Sequence, residues 1–165
     1  MHKKPISPNQ NLHFHCLPFH QLSATELYAL MALRQEVFVV EQNCPYLDAD
    51  GKDLSAHHLL GYNENGRLVA YSRLLPKGVA YEKHPSFGRV VTAASIRGNG
   101  QGRNLMEKTL EWMRRLYGQD AIKISAQCYL ISFYESLGFQ TVGKEYLEDD
   151  IPHIGMVRKP TLNAP

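Results

Sequence analysis

Residues 96–105 read Ile-Arg-Gly-Asn-Gly-Gln-Gly-Arg-Asn-Leu. Gly98, Gly100 and Gly102 alternate with Asn99 and Gln101, between Arg97 and Arg103. Glycine lets backbone N–H groups approach a ligand with no Cβ in the way. The apolar run Phe87 to Ala94 leads in, and a helical pattern, Leu105 to Tyr117, leads out. A helix starting there adds unpaired N–H groups and the positive end of its dipole. Strand, glycine turn and helix together make an anion cradle suited to a phosphate or pyrophosphate.

Spacing separates three kinds of cradle. A P-loop needs G-x-x-x-x-G-K-[ST]; counted from Gly98, its second glycine falls on Arg103, and no Lys-Ser/Thr pair follows. A dinucleotide fingerprint, G-x-G-x-x-G, also puts its last glycine at Arg103. The pattern R-x-x-G-x-G is met by Arg97, Gly100 and Gly102.

Downstream of the turn, Leu105, Met106, Leu110, Trp112, Met113, Leu116 and Tyr117 share an apolar arc, and Gly118 suits a C-cap. Ala121–Ala126 reads as a short strand parallel to 87–94, because a strand–helix–strand crossover gives that. Residues 130–137 form a short helix closed by Gly138, and 140–146 with 151–157 form a terminal hairpin. Upstream, His13–Pro18 is a strand. Ser23 and Glu26 form a capping box, with Leu22 and Leu27 as the staple of a helix running to about Phe38–Val40. Arg34 falls on that helix's apolar stripe, either snorkelling at its edge or facing a cleft. Residues 57–62 and 68–75 are strands of a hairpin. The expectation is one α/β domain over 12–158 with a mixed sheet, and tails at 1–11 and 159–165.

The bulk numbers narrow the function. The chain has 165 residues, 44% apolar and 21% charged, enough for one packed domain. A formal charge of +2 offers no basic field for nucleic acid. Cys16, Cys44 and Cys128 read as reduced intracellular thiols, and no signal peptide or apolar run of membrane-spanning length is present. A cytoplasmic protein is expected. Asp48, Asp50 and Asp53 suggest a calcium loop, but the twelfth position from Asp48 is Leu59, so no metal is expected there. His13 and His15 read as ordinary strand histidines, since a metal site needs further ligands.

About thirty residues after the glycine turn stands Phe133-Tyr134-Glu135-Ser136-Leu137-Gly138-Phe139. With Arg97-x-x-Gly100-x-Gly102 it resembles the GNAT N-acetyltransferases. The segments Arg34 to Tyr46, Ala126-Gln127 and Asp150 to Met156 resemble the ElaA-type branch of that family. The resemblance implies an α/β (α+β) fold: a mixed, mostly antiparallel twisted sheet, flanked by helices, with two central parallel strands splayed around the cofactor. It implies acetyl-CoA as acyl donor. Pantetheine would lie on Val90, Val91, Thr92 and Gln127, and the pyrophosphate on the N–H groups of residues 98–103, with charge from Arg97 and Arg103. Tyr134 is the implied general acid, and a backbone N–H near Val91 is placed to meet the thioester oxygen. Glu41 and His153 are alternative bases, each also readable as structural. Arg34, Phe38 and Tyr46 fall to the acceptor side.

The function expected is direct acetyl transfer to a small-molecule or peptide amine in a ternary complex. The alternative is a CoA-binding sensor that has lost catalysis. Cys128 as a nucleophile is the lesser possibility beside a packing role. Asp48, Asp50, Glu148, Asp149 and Asp150 are either an acidic mouth for a cationic amine or, more in keeping with charge runs, a solvated surface.

Overall fold

The computed structural model describes residues 11–161, so the expected tails fall largely outside it. The chain runs β1 (His13–Pro18), α1 (Ala24–Arg34), β2 (His57–Tyr62), β3 (Leu68–Leu75), β4 (Ser86–Thr92), α2 (Gln101–Tyr117), β5 (Ile122–Gln127), α3 (Ile131–Glu135), β6 (Gln140–Glu148) and β7 (Ile151–Arg158).

Local chemistry sets the boundaries. Ser23 Oγ accepts from Glu26 N at 3.1 Å, and Ser23 N donates to Glu26 Oε2 at 2.9 Å, closing the capping box that starts α1. The helix ends sooner than expected. From Gln35 to Glu41 the chain widens into π turns, with Gln42 N donating to Val37 O at 3.3 Å and Cys44 N to Val39 O at 3.1 Å. β-branched Val37, Val39 and Val40 crowd a regular α turn, and the wider turn relieves them. α2 begins four residues earlier than the apolar pattern suggests, taking Gly102 into its first turn.

Four strands pair antiparallel in the order β1-β2-β3-β4, and three more in the order β5-β7-β6. Every residue of β3 is buried, which requires cover on both faces; α1 and α2 both pack against it. Thr109 Oγ1 donates to Leu105 O at 2.8 Å, so Ser72 donates to Thr109 Oγ1 at 2.7 Å and pins α2 to β3. The core runs through both sheets, from Leu59, Leu74 and Phe87 to Ile124, Phe139 and Met156.

β4 and β5 run side by side in the same direction. Lys123 N donates to Pro85 O at 3.1 Å where the two strands begin. Beyond that bond they do not pair and belong to separate sheets. The wedge between them is the opening on which the rest depends. Among the described residues no helix is long and apolar enough to cross a membrane.

Candidate active site

A cavity of about 1040 Å³ opens from this wedge. Val90, Val91 and Thr92 form one wall, and Ile124 to Gln127 the other.

The β4 wall is bent. Tyr71 pairs with Val91 but Arg73 pairs with Gly88, so β4 holds one extra residue. Arg89 takes that place at φ +50°. A left-handed non-glycine residue costs about 1–2 kcal/mol. Its side chain is anchored, with Nε on Asp48 Oδ1 at 2.7 Å and its guanidinium over the Tyr46 ring at 5.7 Å. A bulge leaves a residue unpaired and re-aims the backbone. Here it does so next to Val90 and Val91.

At the open end lies the glycine turn. Gly98 and Gly100 sit at φ +83° and +73°, and Gly100 caps α2 without a side-chain bond. Among the described residues, a Cβ added to Gly98, Gly100 or Gly102 would meet nothing within 4 Å beyond the turn's own adjoining backbone. The three glycines thus put no side chain over the start of the helix, a backbone surface that fits a diphosphate. The arginines are spent on the protein. Arg97 donates through Nε and Nη2 to Thr92 O at 3.1 and 2.9 Å, and through Nη1 to Glu41 Oε2 at 2.8 Å. Arg103 Nη2 donates to Ser136 Oγ at 2.7 Å, with the guanidinium over the Phe133 ring. The cradle's attraction for an anion therefore comes chiefly from backbone.

Tyr134 lines the cavity from α3 and is 6% exposed. Its ring packs among Phe87, Phe133 and Phe139. The hydroxyl makes no hydrogen bond to a described residue. Burial, helped by Tyr129, pushes its pKa up to about 12, so at neutral pH it is a phenol with a proton to give. Cys128 follows β5. Desolvation and Glu145 push its thiol up, the opposite of what a nucleophile needs.

Across the cavity, His153 Nδ1 lies 2.7 Å from Ile151 O. A carbonyl only accepts, so Nδ1 carries the proton of the neutral ring and Nε2 keeps the lone pair. Tyr146 stacks on this ring with centroids 6.1 Å apart. The Tyr146 hydroxyl bonds Ser125 Oγ, which donates to Glu148 Oε2 at 3.2 Å. Glu41, Phe38 and Tyr46 also line the cavity.

Arg34 does not line it. The side chain is fully buried, with Nε on Asp48 Oδ2 at 2.7 Å, Nη1 on Asp53 Oδ1 at 2.6 Å and Nη2 on Asp48 O at 3.1 Å. It neither snorkels nor faces the cleft; it fixes the loop that floors the cleft. The acidic residues divide: Asp48 is buried on Arg34 and Arg89, as Asp53 is on Arg34 and Arg73, whereas Glu148, Asp149 and Asp150 are exposed, the first two on the cavity. Arg73, Arg89 and His58 were not anticipated from sequence. The available signal was charge in apolar company, Arg34 on its stripe and Arg73 within a buried strand, with three aspartates between them in the chain.

Residues 23–160 match the acetyltransferase (GNAT) domain. Protein ElaA of Escherichia coli is 46% identical over 141 residues, covering 84% of this chain and 91% of that one. A UPF0039 protein of Schizosaccharomyces pombe is 42% identical over 147 residues, covering 88% and 96%. Among solved structures, an acyl-CoA N-acyltransferase from Pseudomonas aeruginosa superposes with a TM-score of 0.84 at 46% identity, covering 90% of this chain and 99% of that one. Escherichia coli ElaA superposes with a TM-score of 0.84 at 42% identity in the structural alignment, covering 90% and 100%. The splayed strands and the glycine turn are thus those of the GNAT fold, and this chain belongs to the GNAT acetyltransferase family.

Proposed function

We propose that the protein transfers the acetyl group of acetyl-CoA directly to an amine within a ternary complex. One observation carries the proposal: Tyr134, a buried phenol with no hydrogen-bond partner among the described residues, lies on the wall of a wedge whose open end is a glycine turn leading into a helix.

The N–H groups of residues 98–103 would hold the pyrophosphate, while Val90, Val91, Thr92 and Gln127 would align pantetheine along the parted strands. Their open edges set the thioester beside the bulge, where the Val91 N–H can meet charge developing on its oxygen. The amine must arrive neutral. His153, its lone pair fixed on Nε2, takes the amine proton directly or through water. Glu41 is the less available group, because Arg97 already holds its carboxylate at 2.8 Å. The amine attacks the acetyl carbon, the C–S bond breaks, and Tyr134 gives its proton to the departing thiolate. Phe38 and Tyr46 stand on the acceptor side. We place the protein in the cytoplasm, where the donor is available to it.

Equilibrium titration with acetyl-CoA, followed by thiol release with an amine panel, tests this. Binding near a micromolar Kd with release is expected. A folded protein with no measurable affinity sinks the proposal, and binding without release for any amine makes it a sensor.

A further inference from the structure

Under the cavity, beside the bulge, lies a cluster that the transfer chemistry does not use. Arg34, Lys52, Arg73 and Arg89 meet Asp48, Asp50 and Asp53 there. Four cations against three carboxylates leave one positive charge. Burial opposes ionisation of Asp50 and Asp53, but hydrogen bonds and charge from Arg73 and Arg34 outweigh it and hold both carboxyls low. His58, bonded to Asp53 O and the Tyr71 hydroxyl, is kept neutral by burial and alters no charge.

Counting donors gives the same answer. Arg34 uses all three of its nitrogens on Asp48 and Asp53. Arg73 gives Nη1 to Asp50 and Asp53 and Nη2 to Asp50, but its buried Nε has no partner among the described residues. The Arg73 residue is 3% exposed, yet it lines the cavity. Arg89 uses Nε and Nη2, and its Nη1 bonds no described residue. Lys52 Nζ stands 3.6 Å from Asp50 Oδ2, beyond a hydrogen bond. Lys52, Arg73 and Arg89 all line the cavity on this side.

We infer that the acceptor is an amino acid or short peptide with a free carboxylate, and that Lys52, Arg73 and Arg89 receive that carboxylate. The inference rests on the acetyl-transfer function proposed above and names its substrate class. A guanidinium fork matches a carboxylate in shape as well as charge. Arg89 is two residues from Val91, about 7 Å along a strand. One small molecule can therefore span from these cations to the thioester. On this side of the cavity a second ammonium would meet like charge; Glu41, Glu148 and Asp149 line the cavity elsewhere.

Matched acceptors test it. Thiol release from acetyl-CoA is measured for the common amino acids and for the same compounds as carboxamides. At least one acid should exceed its amide by tenfold or more in kcat/KM; amides equal to or better than their acids throughout would overturn the inference. Calorimetric titration of N-acetyl amino acids and their amides into CoA-saturated protein reads the carboxylate without turnover. Selective binding of the acid form supports the inference, and equal or absent binding overturns it. Acid-selective binding alongside no turnover with any acceptor would sink the transferase reading and keep only the carboxylate site. Lys52→Met, on a part-exposed side chain that is safe for folding, should raise KM for the acid about tenfold and change the amide less than twofold. Equal changes in both overturn the inference. Faster turnover with succinyl-CoA than with acetyl-CoA toward an uncharged amine would put the carboxylate on the donor instead, and also overturn it.

Discussion

Arg103, in the first turn of α2, donates to the Ser136 hydroxyl at 2.7 Å, just past the helix that carries Tyr134. Ser136 in turn donates to Phe133 O at 2.6 Å. The glycine turn's helix and the helix that carries Tyr134 are therefore mechanically joined. Exposed pairs of this kind are worth up to about 1 kcal/mol. Arg103→Met and Ser136→Ala should each weaken acetyl-CoA binding and lower kcat by up to roughly fivefold, by that same measure. Kinetics on the double variant decide it: the two losses should not add, and simple additivity would mean that the bond couples nothing.

Tyr134→Phe keeps the ring that packs on Phe87 and Phe139 and removes only the hydroxyl. Turnover should fall about 10²- to 10⁴-fold, with acetyl-CoA affinity unchanged. With a pKa near 12, the phenol should impose no fall in kcat between pH 7 and 10. Full turnover by the variant would remove the acid role.

Gly100→Ala asks an L residue to hold φ +73° in otherwise open space. The strain is about 1–2 kcal/mol. Stability should drop by about that much, and the Kd for acetyl-CoA should rise as the turn relaxes. Titration and denaturant melts read both; an unshifted Kd would show that this glycine does not shape the cradle.

Asp53→Asn removes a buried carboxylate shared by Arg34 and Arg73. Breaking a buried pair from one side typically costs about 3–5 kcal/mol. Urea unfolding should show a loss of that order, and a loss below about 1 kcal/mol would place the network with surface pairs.

Burial holds His58, and to a lesser extent of enclosure His57, below the ordinary imidazole value. The unfolded chain takes up protons near pH 6.5 that the folded chain refuses. Protons favour the unfolded state there, so stability should fall as pH drops below about 6.5, by at most about 1.4 kcal/mol per pH unit for each group. Above that pH these groups contribute no slope. Denaturant midpoints from pH 7.5 to 5 test the sign, and a flat profile would contradict it.

Local patterns in the sequence located most of the frame. The capping box at Ser23, the hairpin of β2 and β3, the glycine turn and the Tyr134 segment each depend on neighbours a few residues apart, so short-range chemistry sufficed. What escaped depends on tertiary partners. Arg34 looked like an edge residue because Asp48 and Asp53, fourteen and nineteen positions away, reveal themselves only in space. The acidic loop looked solvated for the same reason. The bulge at Arg89 needs the register against β3, and the π turn at 35–41 reflects crowding that a helical pattern does not register. Gly102 reads with the turn in the sequence but sits inside α2, where its lack of a side chain leaves the approach clear.

The bond from Lys123 N to Pro85 O has one more consequence. It is the rung at which the two sheets still share a ladder, and past it β4 and β5 each present a strand edge with no strand opposite among the described residues. A donor with amides of its own, lying there, would supply the missing rungs and act as part of the tertiary structure. At a hundred times its Kd such a molecule adds about 2.7 kcal/mol to folding stability. The protein's heat tolerance would then follow the supply of its acyl donor, and amide exchange should slow on both facing edges together.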